Sequence, residues 1–169
     1  IKEKIIDTHE GGENVVFNNC EFELNNQYIW TYGCKNTSFN NCVFNTNGKA
    51  ILVYNEGAGA CEVTVEGCTF NATAGAKAGA IANQNCAAIE IDNFQSSGVG
   101  AAHKVTTSDN TYNSNFSGEW RIKNYVSGAA ITVNGTEYTT IALDGKAMTI
   151  DADKNVTVLK GRCLSGHPT

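Results

Sequence analysis

The chain has 169 residues, of which 17% are charged, and a net charge of −5, so we expect a single domain. Its 12 Lys and Arg residues form no basic stripe, which argues against nucleic-acid binding. No apolar run approaches the length of a membrane span, so we expect no membrane insertion.

The termini and composition suggest where the protein works. The chain starts at Ile1 and its only Met is Met148, so we expect a processed form or an excised fragment whose signal peptide is gone. It is rich in Asn and Thr and contains one Pro, a composition typical of extracellular bacterial proteins. We therefore expect an extracellular or cell-surface location.

One short phrase recurs along the first two-thirds of the chain. Its copies are VVFNNCEF at 15–22, TSFNNCVF at 37–44, VTVEGCTF at 63–70, a looser IEIDNF at 89–94 and a faint VTTSDNTY at 105–112. The aligned cysteines of the first three copies lie 22 and 26 residues apart. Such a period is typical of a leucine-rich repeat or a parallel β-helix, and Leu is too scarce for the former.

Each copy reads as two strands joined by a sharp corner. Apolar residues alternate, skip two positions and resume, as in Val15, Phe17, Cys20 and Phe22. Asn and Gly tolerate positive φ, so the skipped pairs are predicted corners. These pairs are Asn18-Asn19, Asn40-Asn41, Glu66-Gly67 and Asp92-Asn93. Stacked corners also let Asn side chains hydrogen-bond along the stack.

A second strand lies between the phrases, at 28–32, 50–54 and 77–82. Stacking at about 4.8 Å would bring equivalent side chains into ladders inside the molecule. The predicted ladders are Val15/Thr37/Val63/Ile89, Phe17/Phe39/Val65/Ile91, Cys20/Cys42/Cys68/Phe94 and Phe22/Phe44/Phe70, closed from the other wall by Ile29, Ile51 and Ile81.

The pattern changes near residue 116. Trp120–Lys123 begins a segment in which Asn134-Gly135 separates alternating runs, a strong hairpin signal, and Asp144-Gly145 marks a second turn. The sequence therefore predicts an all-β protein: a right-handed single-stranded parallel β-helix of about five coils of 22–26 residues over 1–115. A β-rich C-terminal cap follows over 116–160, with a loose tail at 161–169.

The phrases F-N-N-C-x-F and V-T-V-x-G-C-T-F, with W-T-Y-G and L-V-Y-N-E between them, resemble the right-handed parallel β-helix repeat proteins of gut bacteria. The resemblance covers roughly residues 10–115. It implies the β-helix fold and a secreted or surface protein. It implies no particular activity, because this repeat serves lyases, hydrolases, adhesins and phage spikes.

Catalytic motifs are sparse. Arg121-Ile122-Lys123 matches one motif of polygalacturonases, but the chain has no D-D pair, no G-H-G and no N-T-D. The nearest acidic grouping is Glu66, Glu90 and Asp92, expected on adjacent coils with Glu90 and Asp92 sharing an outer face. The two arginines, Arg121 and Arg162, are expected away from this group.

The remaining reactive residues are better explained by structural roles. His103-Lys104 could supply a catalytic base, but we expect the pair to lie in a surface loop. The seven cysteines are Cys20, Cys34, Cys42, Cys61, Cys68, Cys86 and Cys163. The three in the ladder are expected to be small buried residues. Because seven is an odd number, at least one of the cysteines must be a free thiol. No C-x-x-C occurs and no His lies at ligand spacing, so we expect no metal site and no cofactor.

The strongest binding signal is aromatic. If Ile29 points inward, alternation places Tyr28, Trp30 and Tyr32 outward, with Tyr54 one coil later. An exposed aromatic patch usually marks an interaction site and suits stacking on sugar rings. A covering loop or C-terminal segment is the competing interpretation.

Three functions remain open. The leading hypothesis is a non-catalytic module of a bacterial secreted or surface protein, used for adhesion, display or contact with a glycan. The alternative is a small lyase or hydrolase acting on an acidic polysaccharide around Glu66, Glu90 and Asp92. A phage-spike segment or structural spacer is the third.

Overall fold

The computed structural model of the chain describes residues 3–25, 27–54, 59–72, 87–93, 101–113, 116, 118–124, 130–139, 142–143 and 146–147. Regular structure in these ranges is entirely β-strand, so the expectation of an all-β protein is confirmed. Within the described ranges, no helix is long and apolar enough to cross a membrane.

The strands form three sheets. The seven-stranded sheet contains, in spatial order, β1 (Glu3–Thr8), β4 (Gln27–Tyr32), β7 (Ile51–Tyr54), β10 (Ala87–Asp92), β13 (Gly118–Lys123), β16 (Ala142–Leu143) and β17 (Lys146–Ala147). The six-stranded sheet contains β15 (Thr136–Tyr138), β14 (Ile131–Val133), β11 (Lys104–Ser108), β8 (Glu62–Glu66), β5 (Thr37–Asn40) and β2 (Val15–Asn18). The four-stranded sheet contains β12 (Thr111–Tyr112), β9 (Thr69–Ala72), β6 (Val43–Thr46) and β3 (Glu21–Leu24).

The chain visits the three sheets in rotation. Every strand from β1 to β11 pairs in parallel with the strand three places further along the chain. Three consecutive strands therefore form one rung: β1 to β3 are the first rung and β4 to β6 the second. This pairing brings equivalent positions of successive rungs side by side, so the residue types that recur in the sequence become neighbours in the interior.

The corners lie where the sequence predicts them. Asn19 has φ 53°, Asn41 has φ 52° and Gly67 has φ 63°. These three residues separate a strand of the six-stranded sheet from the next strand in the four-stranded sheet. A Cβ on Gly67 would lie 2.5 Å from Asn41 Oδ1, so the third corner has a steric reason for glycine as well as a conformational one.

The apolar ladders of the first three rungs are confirmed. Phe17 pairs with Phe39, and Phe39 pairs with Val65. The second aromatic ladder runs through Phe22, Phe44, Phe70 and Tyr112, with successive ring centroids 5.0, 4.7 and 5.0 Å apart. These rings lie within 16° of parallel, so each fills the space above its neighbour.

The fourth rung differs from the prediction. Ile89 and Ile91 were expected to continue the ladders of Val63 and Val65, but they pair with Ile51 and Val53 in the seven-stranded sheet. The residues that pair with Val63 and Val65 are Val105 and Thr107, from the faint copy of the phrase. The fourth corner is accordingly Asp109, with φ 54°, rather than Asp92-Asn93.

An enlarged rung explains the error. Asn110 follows Cys68 at the corner position after 42 residues, instead of the 22 or 26 of earlier rungs. A constant spacing of 26 residues from Cys68 therefore leads to just past the end of β10, whereas the true partner of β8 is the next strand, β11. The prediction for Phe94 and for the strand at 77–82 with Ile81 lies outside the described residues.

Parallel pairing continues beyond residue 115. The strands β13 and β14 pair in parallel with β10 and β11, so the expected start of a cap at 116 coincides with no change of pairing. Antiparallel pairing begins at β15, where the predicted hairpin at Asn134-Gly135 is confirmed by φ values of 50° and 80°. The strands β16 and β17 are also antiparallel. Residues 144–145, 148–160 and the tail 161–169 lie outside the described residues.

Candidate functional site

Strand alternation gives the seven-stranded sheet one face toward the core and one outer face. Ile29, Ile51, Ile89 and Ile122, one on each of β4, β7, β10 and β13, are fully buried in the core. The residues that precede and follow each of them along its strand therefore point to the outer face. Two rows cross that face. The first contains Asp7, Trp30, Leu52, Glu90 and Arg121, and the second contains Tyr32, Tyr54 and Asp92.

The N-terminal part of the outer face is aromatic. The Trp30 ring lies 5.1 Å from Tyr32 and 5.5 Å from Tyr54. The exposed His9 ring lies 5.0 Å from Tyr32, and its Nδ1 lies 3.3 Å from Asp7 Oδ2. We call Trp30, Tyr32, Tyr54 and His9 the aromatic cluster.

The four predicted binding residues share this face but differ in exposure. Tyr28, Trp30 and Tyr32 are half-buried, whereas Tyr54 is 3% exposed. Adjacent rings in the cluster are inclined by 32° to 41°, so they form a ridged surface and not a flat row. The accessible part of the predicted patch is therefore Tyr28, Trp30 and Tyr32, with His9 at its margin.

The C-terminal part of the outer face is ionic and buried. Glu90 Oε1 lies 3.0 Å from Lys49 Nζ, and Glu90 Oε2 lies 2.6 Å from an Arg121 terminal nitrogen. The side chains of Lys49, Glu90 and Arg121 are 5%, 0% and 1% exposed, and we call them the ion triad. Lys49 Nζ also lies 5.2 Å from the centre of the Tyr28 ring, which links the triad to the aromatic part.

The ion triad holds charge but offers no accessible acid or base. Each oxygen of Glu90 is engaged by a cation of this chain, and the group is removed from solvent. Burying charges is costly unless they are paired, so this arrangement of β7, β10 and β13 depends on the Glu90 carboxylate, which pairs with both cations.

Of the three predicted acidic residues, Glu66 does not align with Asp92 as expected. Glu66 lies at the end of β8 in the six-stranded sheet, paired with Asn40 and Ser108, and it is exposed. Glu90 and Asp92 lie on the seven-stranded sheet and are buried, so they are not a solvated outer face. The cause is the same register error that placed Ile89 next to Val63.

The expectation that Arg121 lies away from this acidic group is also wrong. The registers Glu90↔Arg121 and Asp92↔Lys123 set the triplet Glu-Ile-Asp beside Arg-Ile-Lys. Opposite charges at matching positions of neighbouring strands stabilise their pairing. Both triplets are present in the sequence, and their opposite charges were the signal for this pairing that the sequence analysis did not use.

His103 is buried where a surface loop was expected, whereas Lys104 is exposed. Burial lowers the pKa of His103 to about 4, which the Asp92 backbone partly offsets. Nδ1 of His103 accepts a hydrogen bond from the Cys61 backbone N–H at 3.0 Å. Burial also raises the pKa of the Cys61 thiol, so this neighbouring pair lacks the thiolate and imidazolium that a nucleophilic cysteine needs.

The cysteines of the ladder are structural. The thiols of Cys42 and Cys68 donate to the carbonyls of Phe17 and Phe39 at 3.5 and 3.4 Å. Burial raises the pKa of both, to about 11 for Cys68. Cys42 and Cys68 are buried, as expected for small core residues, whereas Cys20 is half-buried. Within the described part of the chain, no group of three or more His, Cys, Asp or Glu residues is placed to hold a metal ion.

Comparison with known proteins gives no relative. No protein-family model, no curated protein and no solved structure matches the chain.

Proposed function

We propose that the three parallel sheets wind as a right-handed single-stranded β-helix, and that the chain is a non-catalytic module that binds a glycan through Tyr28, Trp30 and Tyr32. The module would belong to a bacterial secreted or cell-surface protein, where it serves adhesion or display. The observation that supports this best is the contact between two half-buried rings, Trp30 and Tyr32, on one face of the seven-stranded sheet, with Asp7 and His9 beside them.

The chemistry of these side chains suits a sugar. The apolar C–H face of a pyranose ring packs against aromatic rings, and a few polar groups fix its orientation. Asp7 and the exposed His9 supply such groups next to Tyr32. Because Trp30 and Tyr32 extend from one strand, sheet pairing fixes their spacing before a ligand arrives, which lowers the entropic cost of binding.

The acidic residues support a binding role over hydrolysis. Glycoside hydrolysis needs two carboxyl groups flanking the scissile bond, about 5 to 9.5 Å apart. Of the three candidate carboxylates, Glu66 lies on a different sheet from Glu90 and Asp92, and Glu90 is engaged by Lys49 and Arg121. A lyase or hydrolase of acidic polysaccharides remains the alternative, and the experiment separates the two.

The experiment is glycan-array binding, followed by titration calorimetry on the best glycan. We expect Trp30→Ala and Tyr32→Ala each to weaken binding at least tenfold. Val16→Ala is the matched control, since Val16 is an exposed apolar residue, 52% exposed, on another sheet. Its affinity should equal that of the unaltered protein.

Three results would contradict the proposal. Turnover of pectin, alginate or glycosaminoglycan by the purified protein would establish the enzymatic alternative. A stable trimer without glycan binding would favour a spike segment. A crystal structure in which the three sheets do not close into a right-handed coil would refute the fold part.

A further inference from the structure

Among the described strands, the first rung forms one end of all three sheets. The strands β1, β2 and β3 are each the terminal strand of their sheet. At the opposite end, the antiparallel strands β15 and β17 terminate two of the sheets. The two ends therefore differ, because only the first rung ends every sheet with a strand in the parallel orientation.

The backbone of β2 shows which groups face the open edge. The N–H groups of Val15 and Asn19 donate to the carbonyls of Asn36 and Asn40, both at 2.9 Å. In a parallel ladder, alternate residues bond to opposite neighbours. The N–H and C=O groups of Val16 and Asn18 thus point away from β5, toward the side on which β2 has no neighbour among the strands that the structure describes.

Stacked Asn side chains of the first two rungs form amide hydrogen bonds that all run in the same direction. Asn36 Nδ2 donates to Asn14 Oδ1 at 3.1 Å, and Asn40 Nδ2 donates to Asn18 Oδ1 at 2.8 Å. Each amide oxygen faces the second rung, so the amide nitrogens of Asn14 and Asn18 face the open side. A group stacked on them must present an oxygen acceptor.

The aromatic ladders also end here. Phe17 stacks on Phe39 at 5.0 Å and 9°, and Phe22 stacks on Phe44 at 5.0 Å and 16°. Phe39 is fully buried between Phe17 and Val65, and Phe44 between Phe22 and Phe70, whereas Phe17, which pairs with Phe39 on one side, is half-buried. Val16, on the same strand, is the exposed large apolar residue of the described part of the chain.

We propose that this end is a docking surface for one further rung: a strand-corner-strand segment of another polypeptide that adds in parallel to β2 and β3. Its apolar residues would cover Phe17 and Phe22, and Asn or Asp oxygens would accept from Asn14 and Asn18. The argument is that the stack can continue. The second rung binds β2 and β3 through one of its sides, and the first rung turns its own equivalent side outward.

Two carboxylates on the terminal strand of the four-stranded sheet limit the chemistry of the partner segment. Glu21 and Glu23 stand exposed on the terminal strand β3, and both accept from Asn45 of the second rung. A docking segment needs Asn or Lys at these positions. A second copy of this chain, end to end, would set Glu against Glu and amide donor against amide donor, so the partner is a different segment.

The test uses a labelled peptide with the sequence of residues 35–46, KNTSFNNCVFNT, which carries Asn at the position above Glu23. We expect saturable binding to the full chain by fluorescence anisotropy, and none for a scrambled peptide. Val16→Pro removes an outward N–H while leaving the bonds from β2 to β5, so it should weaken binding at least tenfold. Val16→Thr keeps that N–H and should bind like the unaltered protein.

Hydrogen exchange keeps the test decisive if Val16→Pro fails to fold. The bound peptide should slow exchange of the Val16 and Asn18 amides in the unaltered protein, and leave the Thr64 amide unchanged. Absence of saturable binding, equal binding by Val16→Pro, or binding without protection of Val16 and Asn18 would overturn the proposal. Self-association of the chain that Val16→Pro abolishes would overturn it in favour of a second copy.

Discussion

The interior ladders and the outer face of the seven-stranded sheet are both largely buried, yet they are built on opposite principles. Inside, each rung repeats the residue type of its neighbour, as in Phe22, Phe44 and Phe70. On the outer face the residue type changes along each row: Trp30 is followed by Leu52, Glu90 and Arg121, and the pair Tyr32 and Tyr54 is followed by Asp92. The repeated residues are therefore those that pack the interior, and the features specific to this protein lie on the outer face, where residue types change from strand to strand.

The two regions also differ in how they respond to loss of one member. An interior ring can be replaced by a smaller apolar group at the cost of a cavity. In the ion triad, removal of Glu90 takes away the carboxylate that two buried cations share. Three changes measure this contrast, from the largest effect to the smallest.

Phe39→Ala removes a ring stacked on Phe17 and packed edge-on against Phe44. Because Phe39 is fully buried, we expect the free energy of unfolding to fall by about 4 kcal/mol, from lost transfer energy and the cavity. Urea unfolding followed by circular dichroism measures this. Val16→Ala, at an exposed position, should change it by less than about 0.5 kcal/mol. A small effect at Phe39 would mean that the ladder does not form the core.

Glu90→Gln leaves Lys49 and Arg121 without their shared carboxylate. We expect a loss of about 3 kcal/mol, at the lower end for a broken buried ion pair, because the Gln side chain keeps one acceptor oxygen. Glu66→Gln is the matched control on the exposed end of β8 and should be nearly neutral. Equal effects of the two substitutions would refute the contrast between the exposed and the buried carboxylates.

Acidification should destabilise the protein through His103. Its folded pKa, about 4, lies below the ordinary value of 6.5, so between these values the unfolded chain binds more protons. Stability is thus complete above pH 6.5 and is lost as the pH falls toward 4, by about 2 kcal/mol between pH 7 and pH 5.

Thermal or urea unfolding at several pH values measures this slope. His103→Asn supplies an oxygen that accepts from the Cys61 N–H but does not titrate, so its slope between pH 7 and pH 5 should be nearly flat. A slope identical to that of the unaltered protein would assign the effect to other groups.

The sequence predicted the ladders and corners because both depend on short-range patterns. Alternation fixed the inward position of Phe39 and Val65, and the pair Asn40-Asn41 marked a corner whose second residue has positive φ. The fourth rung was assigned wrongly because alternation in Ile89–Asp92 looks the same in any sheet. Only the position of the next corner, 42 residues after Cys68, distinguishes the two registers.

The candidate site was harder to predict than the fold. Alternation correctly placed Tyr28, Trp30 and Tyr32 on one face, since that needs only the inward position of Ile29. Contact between Glu90 and Arg121 needs the register of two strands 31 residues apart, and Lys49 joins them from before β7. The burial of Tyr54 depends on tertiary packing, which no local pattern contains.

The ion triad has a consequence for how this protein varies in evolution. Lys49 precedes β7, Glu90 lies on β10 and Arg121 lies on β13, and loss of Glu90 removes the carboxylate that both cations share. Changes of Glu90 alone should be purged, so among any relatives Glu90 would be kept, or exchanged for an apolar residue together with its two cations. Positions such as Thr64 and Ser38, neighbours on the outside of the six-stranded sheet, would drift independently.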